Sequence, residues 1–324
     1  MNIARMMRSA WRYAVEPEYR FLFDASRGKY NALSDEEYLR RKYKAIFGRE
    51  LDLQNPKTFN EKLQWLKLYN RIPEQTMMVD KYRVRDYIAQ TLGEEYLIPL
   101  LGVWDAPGEI DFDALPDRFV LKCNHNSGLG MCICKEKAKL DVGEVRKELR
   151  RGLNEDYYIR HREWPYKNVP RKIICEQYME DDSGNGLRDF KVHCFNGEPK
   201  FILVCSDRFS EEGLREDFYD VSWNRMDLRR PTHPNSQSGV QKPEQLKEML
   251  TCAKKLAKDF PFVRIDFYII HSRMYFGEIT FFPASGFEKF VPEQWDTILG
   301  AWISLPDQQT KTAIQIPSGM MEDK

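Results

Sequence analysis

Apolar positions recur at helical spacing in several stretches of this chain and alternate at strand spacing in others. Ser34 to Phe47 opens on Asp35, Glu36 and Glu37 and continues into Arg40, Arg41, Lys42 and Lys44, the charge order of a capped helix aligned with its dipole. After the turn Asn55-Pro56-Lys57-Thr58, the spacing of Phe59, Leu63, Leu66 and Leu68 predicts a helix to Tyr69. Lys81 to Leu92 reads as a helix closed by Gly93, and Leu97 to Trp104 as a strand. Phe119 to Cys123 and Met131 to Cys134 read as short strands around the loop Asn124 to Gly130, followed by a charged helix from Val142 to Leu153 and a strand from Ile173 to Met179. Asp181 to Gly186 reads as a loop.

Asp189 to Asn196 and Lys200 to Ser206 flank Asn196-Gly197, a tight-hairpin dipeptide, so the sheet is at least partly antiparallel. Asp207 to Val240 reads as a long irregular loop of the kind that faces substrate; its Arg208, Arg215, Arg225, Arg229 and Arg230 would grip carboxylates or sugar phosphates, or stand solvated. A helix over Pro243 to Asp259 precedes a second hairpin, Val263 to Ile270 and Arg273 to Phe281, turning at His271-Ser272. The class is α+β.

Composition narrows the picture by exclusion. Lys plus Arg equals Asp plus Glu at 50 each in 324 residues, so no whole-protein field argues for nucleic acid. A mean hydropathy of −0.62 with 13% aromatics suits a water-soluble folded chain. No apolar run approaches the roughly 20 residues of a bilayer span, and no apolar leader segment opens the chain, which predicts a cytoplasmic protein. Six of the seven cysteines lie between Cys123 and Cys205 without zinc or redox spacing, as expected of buried free thiols. Met6, Met7, Ala10, Trp11 and Ala14 recur near helical spacing with Arg5, Arg8 and Arg12 between them. That pattern predicts a helix that either docks on the domain or makes a weak peripheral contact at the inner membrane face.

The candidate chemistry sits on the second hairpin. Period-two alternation places Arg264 with Asp266 and Glu278 with Thr280, two carboxylates and a neutral oxygen on rigid strands, a donor set for Mg²⁺. Arg264 would neutralise charge on a transferred phosphoryl group. Read alone, the pair is equally an ordinary cross-strand ion pair, but so many neighbouring aromatics leave carboxylates in need of a partner or a metal. Lys122 precedes a loop with Ser127, Gly128 and Gly130 whose backbone N–H groups suit a phosphate, although the order is not that of a P-loop. Glu176, Gln177 and Tyr178 end one strand, Asp189 begins another, and Lys191 shares the face of Asp189.

In their order, and in the wording of Asn55 to Lys62, Phe119 to His125, Asp189 to Gly197 and Gly277 to Phe290, these motifs resemble the TupA-like branch of the ATP-grasp superfamily over roughly residues 40 to 306. The resemblance implies an ATP-grasp fold in which two α+β subdomains clasp ATP. Lys81 and Lys122 would then lie on the phosphates with the Ser127-Gly128 loop and Lys191. Glu176, Gln177 and Tyr178 would form the adenine hinge, Asp189 would meet the ribose, Asp266, Glu278 and Thr280 would hold magnesium, and Arg264 would be catalytic. Two departures stand out: Thr280 replaces the usual asparagine, and Asn126 stands where glycine is expected, a change that asparagine's tolerance of left-handed backbone would accommodate.

The implied organisation is a helical extension (1–40), an N-terminal subdomain (41–110), a small subdomain with phosphate loop and hinge (111–185), a catalytic subdomain (186–310) and a tail (311–324). The implied activity is an ATP-dependent carboxylate–amine ligase working through an acyl phosphate. Its acid would be an acidic sugar or amino-acid unit of a cell-surface polysaccharide, and its amine an amino acid or other amine. The alternatives are a glycosyltransferase of the same pathways, an ATP-grasp kinase acting on a sugar hydroxyl, and a non-catalytic binding module. His193 and His233 are expected to be structural or surface residues rather than catalytic bases.

Overall fold

A computed structural model describes residues 3–181, 186–208, 210–211 and 213–306; most of the Asp181 to Gly186 loop and all of the 311–324 tail lie outside them. The chain opens with α1 (Ile3–Val15), α2 (Pro17–Ser26) and α3 (Asp35–Phe47). The predicted cap is present, Ser34 Oγ accepting from the Glu37 N–H at 3.2 Å, and Gly48 ends α3 at φ 70°. Helix α1 leans on α2 through Ser9, bonded to Tyr19 at 2.6 Å, and through Tyr13, whose hydroxyl donates to Asp24 at 3.0 Å. Met6, Met7, Trp11 and Val15 therefore stay exposed. No described helix is long and apolar enough to cross a membrane.

Helix α4 (Phe59–Tyr69) begins with a capping box between Thr58 and Glu61 and is buried nearly all round. Short helices α5 (Glu74–Val79) and α6 (Val84–Thr91) follow, so Lys81 lies in the turn before α6 rather than inside it. Strands β1 (Leu100–Trp104), β2 (Phe119–Cys123), β3 (Met131–Cys134) and β4 (Ile173–Gln177) form a wholly antiparallel sheet in the order β1-β4-β2-β3, with α7 (Val142–Leu153) and α8 (Tyr157–His161) between β3 and β4. Its apolar face, with Phe119, Leu121, Ile173 and Cys175, packs with Leu149 of α7 into one core. Its other face carries Lys122 and Glu176.

The second sheet is also antiparallel, in the order β7-β6-β5-β8-β9: β5 (Asp189–Phe195), β6 (Glu198–Ser206), β7 (Arg215–Asp220), β8 (Phe262–Ile270) and β9 (Arg273–Thr280). Helices α9 (Leu246–Ala257) and α10 (Gln294–Ala301) complete the element list, and the larger core joins α3, α4 and α9 to the back of this sheet. Both predicted hairpins turn through paired positive φ values, at Asn196-Gly197 and His271-Ser272.

Strand β7 corrects the reading of 207–240 as one irregular loop. Its sequence, Arg-Glu-Asp-Phe-Tyr-Asp, buries Glu216 and Asp217, which alternation alone would place in water. They are buried because arginines from the following segment reach them: Arg225 pairs with Asp217, and Arg230 clasps Glu216 and Glu288. Two of the five arginines expected to grip substrate thus tie the loop to the sheet, and Arg208 bonds Asp189 at 2.6 Å.

Candidate active site

The ladder register sets the charged face of the second sheet. Lys191 stands opposite Asp266, Asp266 opposite Glu278, and Arg264 opposite Thr280. Arg264 forks onto Asp266 (Nε to Oδ1 2.7 Å, Nη2 to Oδ2 2.8 Å) and also donates to Glu278 at 2.8 Å and to Thr280 Oγ1 at 3.1 Å. Burial works against so enclosed a guanidinium, but the Asp266 and Glu278 carboxylates outweigh it and hold its pKa above the usual range. Lys191 bonds the second oxygen of Asp266 and lies 3.7 Å from Asp189, so both oxygens of Asp266 are engaged.

That arrangement bears on magnesium. Glu278 retains accessible surface, and the Thr280 hydroxyl lies 3.3 Å from its Oε1, so two hard oxygen donors face open space while Asp266 anchors the cations behind them. Among the described residues no three His, Cys, Asp or Glu side chains converge as a metal cage. The donor set fits a magnesium ion held by one or two carboxylates and otherwise by water and nucleotide phosphate, the mode that ion favours.

From the other side come the lysines. Lys81 Nζ donates to the Asn126 carbonyl at 2.6 Å, and Lys122 Nζ bonds Glu176 Oε2 at 2.6 Å, with Arg85 at 3.4 Å from the other oxygen. Burial lowers the Lys81 pKa against the pull of Glu278, which places Lys81 within electrostatic reach of the opposite hairpin. Glu176 therefore orients Lys122. Gln177 is exposed at the strand end, and Tyr178 lies under the Arg118 guanidinium at 4.3 Å.

The 124–130 loop is locked from below. Asn124 reaches Asp80 and the Pro170 carbonyl, each at 2.8 Å. Gly130, at φ 67°, lies against Gly152 so closely that a Cβ there would stand 2.8 Å from the Gly152 Cα. Asn126 is not among the residues with positive φ, which corrects the expectation that left-handed tolerance explains it. Its amide instead donates to the Gly152 carbonyl at 3.1 Å, tying the loop to α7.

Both sides meet at a cavity of about 400 Å³, within the range of small-molecule sites. Of the predicted residues, Lys81, Ser127, Arg264, Glu278 and Thr280 line it; Asp266, with Lys191 on it, holds Arg264 from behind, and Lys122, Gly128, Glu176, Gln177, Tyr178 and Asp189 are not among its lining residues. Sequence reasoning missed the remaining wall: Lys42, Tyr157, His161, Glu163, Tyr166, Ser285 and Phe287. The backbone over Ala284, Ser285 and Gly286 is left-handed at three successive residues, a conformation two of them rarely adopt. Helix α4 holds it there. Asn60, Gln64 and Lys67 form a fully buried polar stripe in which Gln64 donates to the carbonyls of Ser285 (3.1 Å) and Gly286 (2.6 Å), and Lys67 donates to Ser285 O at 2.8 Å. Helical spacing at positions 60, 64 and 67 was the available signal for that stripe.

His193 is fully enclosed, stacked on Phe201 at 4.2 Å and kept neutral by burial, a structural residue as expected. The cysteines are free, and all but the half-buried Cys132 are buried.

Two facing sheets, one bearing a lysine and a glycine loop and the other an Arg-Asp/Glu hairpin, make this an ATP-grasp protein, a ligase-type superfamily. More particularly, the chain belongs to the TupA-like ATP-grasp family, whose model matches residues 61–304. Among solved structures it is similar to the D-alanine–D-alanine ligase from Bacillus anthracis complexed with ATP (17% identity, 63% of this chain and 55% of that chain, TM-score 0.39). It is likewise similar to the D-alanine–D-alanine ligase from Helicobacter pylori (17% identity, 76% and 69%, TM-score 0.38). A third is N5-carboxyaminoimidazole ribonucleotide synthetase in its ADP complex (14% identity, 76% and 57%, TM-score 0.42). The matched part thus spans between 55% and 69% of those chains. No curated protein matches the chain.

Proposed function

We propose that the protein is an ATP- and Mg²⁺-dependent, ADP-forming carboxylate–amine ligase, and that its acid is an acidic sugar or amino-acid unit of a cell-surface polysaccharide. The observation that carries this reading is the convergence of Lys81 and Ser127 with Arg264, Glu278 and Thr280 on one cavity. Cations there suit nucleotide phosphates, and Glu278 with Thr280 suits the magnesium that neutralises them. A substrate carboxylate oxygen attacks the γ-phosphorus, the bond to the β–γ bridging oxygen breaks, and ADP leaves. The amine nitrogen then attacks the acyl carbon, the carbon–oxygen bond to phosphate breaks, and an amide, phosphate and the displaced proton result. Arg264 stabilises the charge that accumulates in both steps, and the chain's other contribution is positioning and exclusion of water.

Product analysis tests it. With ATP and Mg²⁺ against panels of uronic acids, nucleotide-sugars and amines, ADP and phosphate are expected in equal amounts only when acid and amine are both present, and Glu278→Ala is expected to abolish them. ADP without phosphate would replace the ligase by a kinase; consumption of a nucleotide-sugar with ATP untouched would replace it by a glycosyltransferase.

A cytoplasmic site of action at the inner membrane face is part of the same reading. Helix α1 supports it, with Met7 69% and Trp11 61% exposed beside Arg8 on a helix free of acidic residues. The chain is expected to sediment with vesicles containing phosphatidylglycerol and less so after Trp11→Ser; recovery of the wild type wholly in the supernatant would remove the membrane from the picture.

A further inference from the structure

Three polar side chains on the cavity wall away from the acidic hairpin form one hydrogen-bonded chain. Ser285 Oγ donates to Glu163 Oε1 at 2.5 Å and lies 3.1 Å from His161 Nδ1, and all three residues line the cavity. Ser285 stands at φ 55° in the left-handed turn whose carbonyls Gln64 and Lys67 hold, so a strained backbone keeps its hydroxyl between the acid and the imidazole.

The direction of the chain follows from counting protons. A serine hydroxyl has one proton, and here it goes to Glu163, so the imidazole must donate from Nδ1 and carry a bare lone pair on Nε2. Among the described residues Nε2 has no hydrogen-bond partner, yet it is not sealed from solvent, so it opens on the cavity that the ring lines. Tyr157 stacks on that ring at 4.4 Å and fixes its plane. Burial, with Lys42, Lys67 and Arg160 nearby, lowers the His161 pKa to about 3, so an imidazolium is a poor resting place for a proton. Glu163 is the better one. It is 3% exposed, and burial raises its carboxyl above the usual range, against the pull of Lys67, the Ser285 hydroxyl, Lys42 and Arg264.

We propose that His161 Nε2 is the base that frees the attacking amine, with Ser285 and Glu163 behind it as the relay that carries the proton away. The assignment rests on the ligase reading and deepens it. An amine arrives as its ammonium ion, whose nitrogen has no lone pair with which to attack. Its proton passes to His161 Nε2, the Nδ1 proton to Ser285 Oγ, and the serine proton to Glu163 Oε1. The ammonium becomes the free amine and the carboxylate becomes the acid, while the imidazole stays neutral, its proton moved from Nδ1 to Nε2. The amine's second proton leaves with phosphate when the carbon–nitrogen bond forms. Reversal of the chain after product release returns the Glu163 proton to solvent. Ser285 is thus a conduit and not a nucleophile, and Glu163 is where the proton is stored.

The test compares two kinds of nucleophile on the full chain with ATP, Mg²⁺ and the uronic acids. One is the amines that are ammonium ions at neutral pH, ammonia and the common amino acids among them; the other is hydroxylamine, which is already neutral and needs no base. His161→Asn keeps an N–H for Ser285 at the Nδ1 position but removes Nε2. It is expected to lower kcat/KM for the amine by about 10²-fold or more while hydroxamate formation stays within about threefold of wild type. Glu163→Gln, which keeps a partner for Ser285 but cannot take its proton, is expected to show the same split. Between about pH 7.5 and 8.5 the wild type is expected to hold kcat/KM for total amine within about threefold, and His161→Asn to gain about tenfold, since it depends on amine that is already free. In a folded His161→Asn, amide and hydroxamate falling together, or neither falling, overturns the relay. So does a tenfold rise over that pH unit in the wild type, a measurement that stands even should both variants fail to fold. Hydroxamate without amide from any of the ammonium ions overturns the relay alone; no hydroxamate with any acid of the panel overturns the ligase reading and the relay with it.

Discussion

Arg264→Met is expected to lower the rate of ADP formation by about 10²- to 10³-fold, the cost of losing one preorganised donor at a developing charge. The same change is expected to cost about 3 kcal/mol of stability, because Arg264 is the shared partner of Asp266, Glu278 and Thr280. With the guanidinium gone, Asp266 keeps Lys191 but stays buried, and Glu278 relaxes towards solvent. Arg264→Lys separates the two effects. A lysine restores charge but cannot fork onto two oxygens of one carboxylate while reaching a second, so it should recover more stability than rate. Single-turnover ADP formation and urea unfolding of both variants measure this. A methionine variant within tenfold of wild type in rate would show that the hairpin arginine is only a strut.

The second large effect is purely architectural. Asn60→Leu keeps the branching and heavy-atom count of the side chain but is expected to cost about 3 kcal/mol. The Asn60 amide is wholly buried, donates to the Glu288 carbonyl and to Asp296 Oδ1 at 2.8 Å each, and accepts from the Glu288 N–H at 2.8 Å. Leucine leaves all of these unmet. Asp296, whose pKa is raised by burial, loses the side-chain amide but keeps the Asn60 backbone N–H at 3.0 Å and Arg49, so the buried Glu288 backbone groups bear most of the loss. For a chain of this size the loss corresponds to a fall in melting temperature of roughly 4–5 °C. Because Glu288 follows the left-handed turn at Ala284 to Gly286, activity should fall as well, with the cavity wall loosened. A shift below about 2 °C would mean that the α4 stripe does not hold the turn.

Much of this was legible in the chain itself. Helices α3 and α4 announced themselves by caps and by apolar spacing, the first hairpin by Asn196-Gly197 and the second by two apolar runs either side of His271-Ser272, because such signals depend on neighbours a few residues away. Arg264 with Asp266, and Glu278 with Thr280, were legible as face-sharing neighbours within their strands, but counting back from the two-residue turn would set Glu278 opposite Ile265; the register shift between Asp266 and Phe267 is what brings the two pairs onto one face. The likeness to TupA-like ATP-grasp proteins was legible in contiguous wording, and the family match bears it out.

Tertiary structure decided what those local signals cannot carry. Strand β7 is a strand because Arg225 and Arg230, later in the chain, neutralise the acids it buries. Lys42, Glu163 and Ser285 are 121 and 122 residues apart in turn (163 − 42 and 285 − 163), and nothing in their neighbours marks any of them. They meet because α4 binds the 284–286 turn through a buried polar stripe and α3 packs beside it. On one wall the charge pattern of the candidate site follows strand periodicity, re-phased by one bulge. On the other wall it is written only in space, where burial and long-range pairing govern.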